Sequence, residues 1–245
     1  SFLADLNGLG GTSGIAFGCE AKRSLDEMLE AIADGKFDAE MLSRVAQPIG
    51  DYVQLLPGGR GIAAPDSFLP EAVEYLIAEA RTLADVTVVD LPTGMHPLTR
   101  HVAAIADHVV IVTSPLLASL RNARMMMDEL RQRRGAEAPL TVLVNGVGAH
   151  DRADLPLDAV KDALEQKTIC SVPFTPNLFA LAETNGRYFA YDKLAQKTLK
   201  DMQPVVDAIY AKGNAGGKGA STDTSSKLIS GGGIAGLVSG LIKPP

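Results

Sequence analysis

The run Val86-Thr87-Val88-Val89-Asp90-Leu91-Pro92 constrains the fold more than any other stretch of the chain. Its β-branched residues favour a strand, and a run that is apolar on both faces is typical of a parallel strand covered by helices. An acid at the carboxyl end of such a strand lies where open α/β sheets bind ligands. In phosphate-handling folds that acid holds Mg²⁺, directly or through water. The pattern equally allows Asp90 to cap the turn Pro92-Thr93-Gly94.

Apolar strands alternate with helical patterns along most of the chain, and no β-hairpin pattern interrupts them. Alternation of this kind predicts an α/β fold with a mostly parallel sheet wrapped by helices on both faces. We expect one domain over residues 1–211. The other predicted strands are Phe2–Asn7, Tyr52–Leu56, His108–Pro115, Leu140–Asn145 and Thr168–Pro173.

A glycine-rich loop, Gly8–Gly14, follows the first predicted strand. Glycine lets a backbone approach a ligand closely, so the loop is consistent with a switch that covers phosphates. A plain flexible turn has the same composition.

Charge and hydropathy exclude some classes of protein. The chain has 245 residues, a net charge of −6 and a pI near 5.2, which argues against a general nucleic-acid-binding surface. Its apolar runs are all shorter than the roughly 18 residues that a membrane-spanning helix needs. From position 212 to 245 Gly, Ser and Thr are frequent, which predicts a flexible tail with an amphipathic C-terminal segment.

Several short motifs follow one another along the chain: Asp5-Leu6-Asn7 with Gly10–Ile15, Leu55–Gly58, Val88–Gly94, Ala106–Thr113 followed by Ser119–Ala123, and Val144-Asn145. Their order and spacing resemble those of the deviant-Walker ATPases of the MinD/ParA family, and most closely its TadZ/CpaE-like branch, which localises Tad/Flp pilus assembly. The resemblance covers about residues 1–210.

The resemblance implies a P-loop NTPase-like fold that binds ATP and Mg²⁺ and forms an ATP-dependent homodimer. It implies pilus or secretion assembly proteins as partners. DNA partitioning also occurs in the family, but we expect no nucleic acid, because the acidic balance and the lack of a basic cluster argue against it. The expected location is the cytoplasm, with peripheral contact at the inner membrane or cell pole. The implied site consists of Asp90 on Mg²⁺, Asp5 supporting the metal, Asn7 facing the γ-phosphate, Gly10, Gly11, Thr12 and Gly94 in the switch segments, and Asn145 and Pro173 on the nucleotide.

Two departures from the family pattern affect the expected activity. The glycine-rich phosphate loop is missing, and we expect it upstream of Ser1, so the chain reads as a fragment. Asn7 stands where the family usually has Asp, and an amide cannot accept a proton from water. A slow ATPase and a non-hydrolysing scaffold are both consistent with Asn7, as is a positioning ATPase for another cargo. A biosynthetic enzyme on the same fold would need substrate-specific acids that the motifs do not supply.

The tail generates a prediction about membranes. Five aliphatic residues fall at helical spacing on one face: Ile234, Leu237, Val238, Leu241 and Ile242. Burying them in a lipid surface would contribute about 1.5 to 3 kcal/mol each before the ordering cost is subtracted. If the tail binds a membrane surface, the full-length protein in nucleotide should co-sediment with liposomes more than a variant without residues 228–245 does. Equal sedimentation would leave a disordered tail or a peptide that binds a protein partner.

Overall fold

The computed structural model describes residues 1–8, 10–19, 23–59, 69–186 and 188–216. The tail segment over 229–245 and residue 9 of the glycine-rich loop lie outside these ranges. The described residues form two compact units, one built on 1–105 with 180–188 and the other on 106–179 with 189–216. No helix among the described residues is long and apolar enough to cross a membrane.

The first unit contains a four-stranded sheet in the order β2-β3-β1-β4. The strands are β1 (Phe2–Asp5), β2 (Gln47–Ile49), β3 (Val53–Leu56) and β4 (Thr87–Asp90). The helices are α1 (Ser13–Ala16), α2 (Leu25–Ala33), α3 (Ala39–Val45), α4 (Pro70–Leu83) and α5 (Pro97–Ile105). The core is aliphatic and includes Phe2, Leu29, Leu42, Leu56 and Leu76, each fully buried.

The register of β1 explains where the site forms. β1 pairs in parallel with both β3 and β4, and Asp5 lies opposite Asp90. The carboxyl ends of these strands therefore meet at one edge of the sheet. The predicted Asp90 strand and its parallel pairing are confirmed.

One pair of strands departs from the expected alternation. β2 and β3 pair antiparallel, with Gln47 opposite Leu55, so a short hairpin adds an edge strand to an otherwise parallel sheet. The turn between them contains Gly50 at a φ of 59°, a backbone conformation that glycine adopts without steric cost. The sequence does not show the common Asn-Gly or Asp-Gly hairpin pair there, so the hairpin was not expected.

The second unit contains a three-stranded parallel sheet in the order β5-β6-β7. Its strands are β5 (Val109–Thr113), β6 (Leu140–Val147) and β7 (Cys170–Pro173). The helices are α6 (Leu117–Arg134), α7 (Leu157–Leu164) and α9 (Ala195–Gly216), and α8 (Pro176–Thr184) leads out of β7. α9 continues to Gly216, past position 212 where the predicted tail begins.

β4 is less covered than its apolar sequence predicts. It pairs only with β1 among the described strands, and the Val88 side chain is 48% exposed. The Thr87 hydroxyl is buried and has no hydrogen-bond partner within the described residues. β5 is likewise the edge of its own sheet, and Val112 is 60% exposed. Each unit thus ends in a parallel edge strand with an exposed β-branched side chain.

Within the first unit, the segment after the glycine-rich loop touches the chain just beyond α8. A Cβ at Gly18 would collide with the Gly186 carbonyl oxygen, and the Phe17 and Tyr188 rings lie 4.9 Å apart. Gly18 has a φ of 67°, the same as Gly35, which has open space around the position of a Cβ.

Gly18 and Gly35 allow two costs of adding a side chain to be measured separately, the cost of the backbone conformation and that of the steric contact. Gly35→Ala should lower the free energy of unfolding by about 1 to 2 kcal/mol, the cost of a left-handed backbone for alanine. Gly18→Ala should lower it clearly more, because the contact with Gly186 must also open. Urea denaturation of both variants measures the difference. Equal losses would mean that the Gly18–Gly186 contact contributes nothing to stability.

Candidate functional site

The Asp5 carboxylate is the buried centre of the candidate site. Its side chain has no exposed surface and ends β1. Asp5 Oδ1 accepts the Asn7 backbone N–H at 2.9 Å, and Oδ2 accepts the Ser13 N–H at 3.2 Å. A carboxylate held by backbone donors on both oxygens fixes the loop that contains them. Asp5 therefore ties the start of α1 to the end of the strand.

The Asn7 amide bridges two carboxylates. Asn7 Nδ2 donates to Asp5 Oδ1 at 2.8 Å and to Asp90 Oδ2 at 3.2 Å. The backbone carbonyl of Asn7 accepts the Gly59 N–H at 2.9 Å. Asn7 thus joins three segments: β1, β4 and the turn after β3. In this structure its side chain is engaged with carboxylates, whereas the resemblance implies that it faces a phosphate.

Asp90 is the carboxylate of the site whose ionisation its surroundings oppose. Its pKa is raised, first because the packing around it withdraws water from the carboxylate and second because the Asp5 charge lies nearby. The side chain is still accessible at the strand end. A partly desolvated carboxylate next to another negative charge is a place where a cation or a donor lowers the energy.

Glycines bring three backbone segments into contact around these carboxylates. A Cβ at Gly11 would lie 2.5 Å from Gly58 Cα and 2.6 Å from Asp5 Oδ2. A Cβ at Gly58 would lie 2.8 Å from Asp5 Cγ. The Gly11 N–H donates to the Gly59 carbonyl at 3.1 Å, which closes the arrangement. The sequence analysis assigned no site role to Gly59 and placed Gly58 only in the Leu55–Gly58 motif, although Pro-Gly-Gly directly after a strand is the feature that could have indicated close packing.

The other predicted residues of the first unit line the loops around this centre. Gly10 has a φ of 85° and Gly94 a φ of 94°, so both serve as turn residues. Thr12 precedes α1, and its carbonyl accepts the Ala16 N–H at 3.0 Å. The predicted switch loop is therefore partly helical, and two of its N–H groups are already hydrogen-bonded.

Asn145 and Pro173 lie in the second unit, at the carboxyl ends of β6 and β7. Asn145 is exposed and lies opposite Val172 in the parallel register. The loop after β6 is held by Asp154, which accepts the Gly148 N–H at 2.6 Å and contacts His150 Nδ1 at 3.1 Å. Burial opposes ionisation of Asp154, but these hydrogen bonds outweigh it and lower its pKa. The Asp154 contacts were not predicted from the sequence, because an Asp six residues after a glycine is not a recognisable motif.

The residues present fit a divalent cation in part. Asp5 and Asp90 offer the hard carboxylate oxygens that Mg²⁺ prefers, and the nearby Asp5 charge, the second cause of the raised pKa of Asp90 after burial, would favour a cation there. No group of three or more His, Cys, Asp or Glu suited to a metal occurs in the described part of the chain. A nucleotide would have to supply further oxygens. The triphosphate itself fits poorly, because the Gly11 and Ser13 N–H groups are committed to Gly59 and Asp5.

The contrast between the two carboxylates can be tested by stability. Asp5→Asn should lower the free energy of unfolding by about 1 to 3 kcal/mol, because an amide cannot accept all three N–H groups. Asp90→Asn should change it by less than about 0.5 kcal/mol, because its neutral amide relieves repulsion from Asp5. Urea denaturation at neutral pH measures both. A larger loss in the Asp90 variant would contradict the assignment of Asp5 as the structural centre.

No protein-family model matches the chain. Among curated proteins, the septum site-determining protein MinD of Bacillus subtilis is 22% identical over 167 residues, which is 63% of this chain and 62% of that protein. An uncharacterized ATP-binding protein of Methanocaldococcus jannaschii is 24% identical over 126 residues, covering 51% of this chain and 47% of that one. The chain therefore spans less than two thirds of the length of either relative.

Solved structures match over more of the chain. The ParA family ATPase from Chlorobium tepidum superposes with a TM-score of 0.69 at 20% identity, over 85% of each chain. The Pyrococcus furiosus cell division ATPase MinD superposes with a TM-score of 0.67 at 19% identity, over 86% of each chain. The Pyrococcus horikoshii MinD complexed with Mg-ADP gives 0.67 at 18% identity, over 88% of this chain and 84% of that one. The chain therefore has the α/β, mostly parallel fold of the MinD/ParA-type ATPases.

Proposed function

We propose that this chain is the larger part of a MinD/ParA-like positioning ATPase that acts as a nucleotide-dependent switch. The observation that carries the proposal is the meeting of Asp5, Asn7 and Asp90 at the carboxyl ends of β1 and β4. Ligands of open α/β sheets bind at that edge. The fold of MinD/ParA-type ATPases supports the same reading.

Mg²⁺ and ATP are the proposed cofactors. Asp90 would hold the cation. Asp5 would orient the residues around it, because both of its carboxylate oxygens already accept N–H groups. Mg²⁺ would neutralise charge on the phosphates, which is the chemistry that metal ions supply in phosphoryl transfer. The Pyrococcus horikoshii MinD complexed with Mg-ADP supports this cofactor pair. Asn145 and Pro173 would contribute to binding the base.

The proposal includes a strand and phosphate loop that precede Ser1. The free edge of β4 supports it, because Val88 is exposed there and the Thr87 hydroxyl has no partner among the described residues. A further parallel strand beside β4 would cover both. Such a strand, ending in a glycine-rich loop, would supply the backbone N–H groups that the triphosphate lacks in the described residues.

The TadZ/CpaE-like motifs make a pilus or secretion assembly platform the proposed cargo. In this reading ATP joins two copies of the protein, and the dimer recruits assembly proteins at the inner membrane or cell pole. The MinC:MinD complex from Aquifex aeolicus is an example of a structurally similar protein with a protein partner. A scaffold without turnover is the second candidate, and the engagement of the Asn7 amide with two carboxylates favours it over rapid hydrolysis.

Nucleotide binding should require the upstream residues. The 245-residue chain should show no rise in Tm with MgATP, whereas a longer form with the upstream residues should be stabilised by roughly 2.7 kcal/mol at a hundredfold excess over Kd. Thermal denaturation with and without MgATP measures both forms. A clear shift in the 245-residue chain would contradict the need for an added phosphate loop. No shift in either form would contradict the proposed function.

Dimerisation of the longer form should depend on Asp90. Asp90→Ala should abolish the dimer that forms with Mg²⁺ and a slowly hydrolysed ATP analogue, because the cation that links protein and phosphates loses its carboxylate. Light scattering reports the mass. Asp107→Ala replaces an acidic residue near the amino end of β5. It is the matched control and should dimerise normally. A dimer unaffected by Asp90→Ala would return Asp90 to a turn-capping role.

A further inference from the structure

The Asn7 side chain occupies the space between two carboxylates, where a cation would also be most favourable. Its Nδ2 is 2.8 Å from Asp5 Oδ1 and 3.2 Å from Asp90 Oδ2. The amide hydrogens carry partial positive charge and face both acids. Because an amide nitrogen is a donor only, it cannot bind a metal ion in this orientation.

The bridge and a cation compete for the same oxygens. Asp5 Oδ1 already accepts two N–H groups, from the backbone and the side chain of Asn7. Its Oδ2 accepts the Ser13 N–H and is packed against Gly11. A cation that reaches this pair must therefore displace the Nδ2 donor, since the backbone donors are fixed by the loop.

Among the described residues, no other side chain donates a hydrogen bond to both Asp5 and Asp90. The elements packed around the pair are the loop at Gly10–Ser13, the Pro57-Gly58-Gly59 turn and the end of β4, and the Asp26 carboxylate lies against Gly59. The Asn7 amide is the side-chain donor that the described hydrogen bonds place on both acids. The amide of Asn7 thus places a neutral donor between two like charges.

We infer that the Asn7 amide is a stand-in for the divalent cation: it holds Asp5 and Asp90 together when no cation is bound and must turn away before one binds. Asn7 is therefore a positioning residue that lowers the affinity for free cation, in addition to any effect on hydrolysis. This inference rests on the proposed function only in taking a cation as the natural occupant. An Asp at position 7 would add a third carboxylate and favour the cation directly.

The test measures Mn²⁺ binding to the 245-residue chain without nucleotide, by the electron paramagnetic resonance signal of free Mn²⁺ at pH 8. Asn7→Ala should bind Mn²⁺ about tenfold more tightly than wild type, the factor expected when a hydrogen bond to a charged acceptor no longer has to be broken. Asn7→Asp should bind more tightly still. Asp90→Asn should lose binding, and Asn185→Ala, an exposed asparagine directly after α8 that has no role in the site, should leave it unchanged.

A second readout follows the amide itself in the wild-type chain. The Asn7 side-chain NH₂ resonances, assigned by their absence in Asn7→Ala, should shift as Mg²⁺ is added. Equal Mn²⁺ affinity of wild type and a folded Asn7→Ala would overturn the inference, as would unchanged Asn7 resonances in Mg²⁺ at saturation. No Mn²⁺ binding by wild type, Asn7→Ala and Asn7→Asp would overturn it too. Because nucleotide is absent, a failure of ATP binding would count against the proposed function and leave this result standing.

Discussion

The buried Asp5 carboxylate is the interaction on which the candidate site depends. It accepts two backbone N–H groups and one side-chain N–H, and so it fixes the loop that supplies them. A carboxylate without exposed surface is costly unless donors surround it. Here the donors come from the loop itself, so the folding of the loop and the burial of the charge each require the other. The close glycines follow from this, because any larger residue at position 11 or 58 would enter the same space.

The Asp5–Asn7–Asp90 arrangement also changes how the family resemblance is understood. The order of the motifs predicted that Asn7 faces the γ-phosphate. The hydrogen bonds show that its side chain joins Asp5 and Asp90. Both descriptions can apply to one protein in two states, since an amide that releases its carboxylates is free to contact another group. Asn rather than Asp at position 7 then matters for the state without ligand, because Asp5 and Asp90 would repel each other without the amide bridge.

The sequence predicted the strands with strong apolar runs well, for a physical reason. Val86–Asp90 and Leu140–Asn145 are rich in β-branched residues that have few alternatives to a buried strand. The β2–β3 hairpin was missed because its turn lacks the usual residue pair, and Gln47–Ile49 is too short to show a pattern. For the site, the types and order of Asp5, Asn7 and Asp90 could be read from the chain. Their hydrogen bonds could not, because residues 7 and 90 are brought together only by strand register.

Among the described residues β4 is an edge strand, and this has a consequence for the behaviour of the chain in solution. An edge strand exposes a row of N–H and C=O groups, and natural sheets usually protect it with Lys, Pro, a bulge or a covering element. Thr87–Val89 contains none of the protective residues, and Val88 adds apolar surface beside the open backbone. Such an edge is a template for pairing with a second chain. At high concentration the 245-residue chain should therefore self-associate through β4, and its solubility should rise when a strand from its own polypeptide occupies that position.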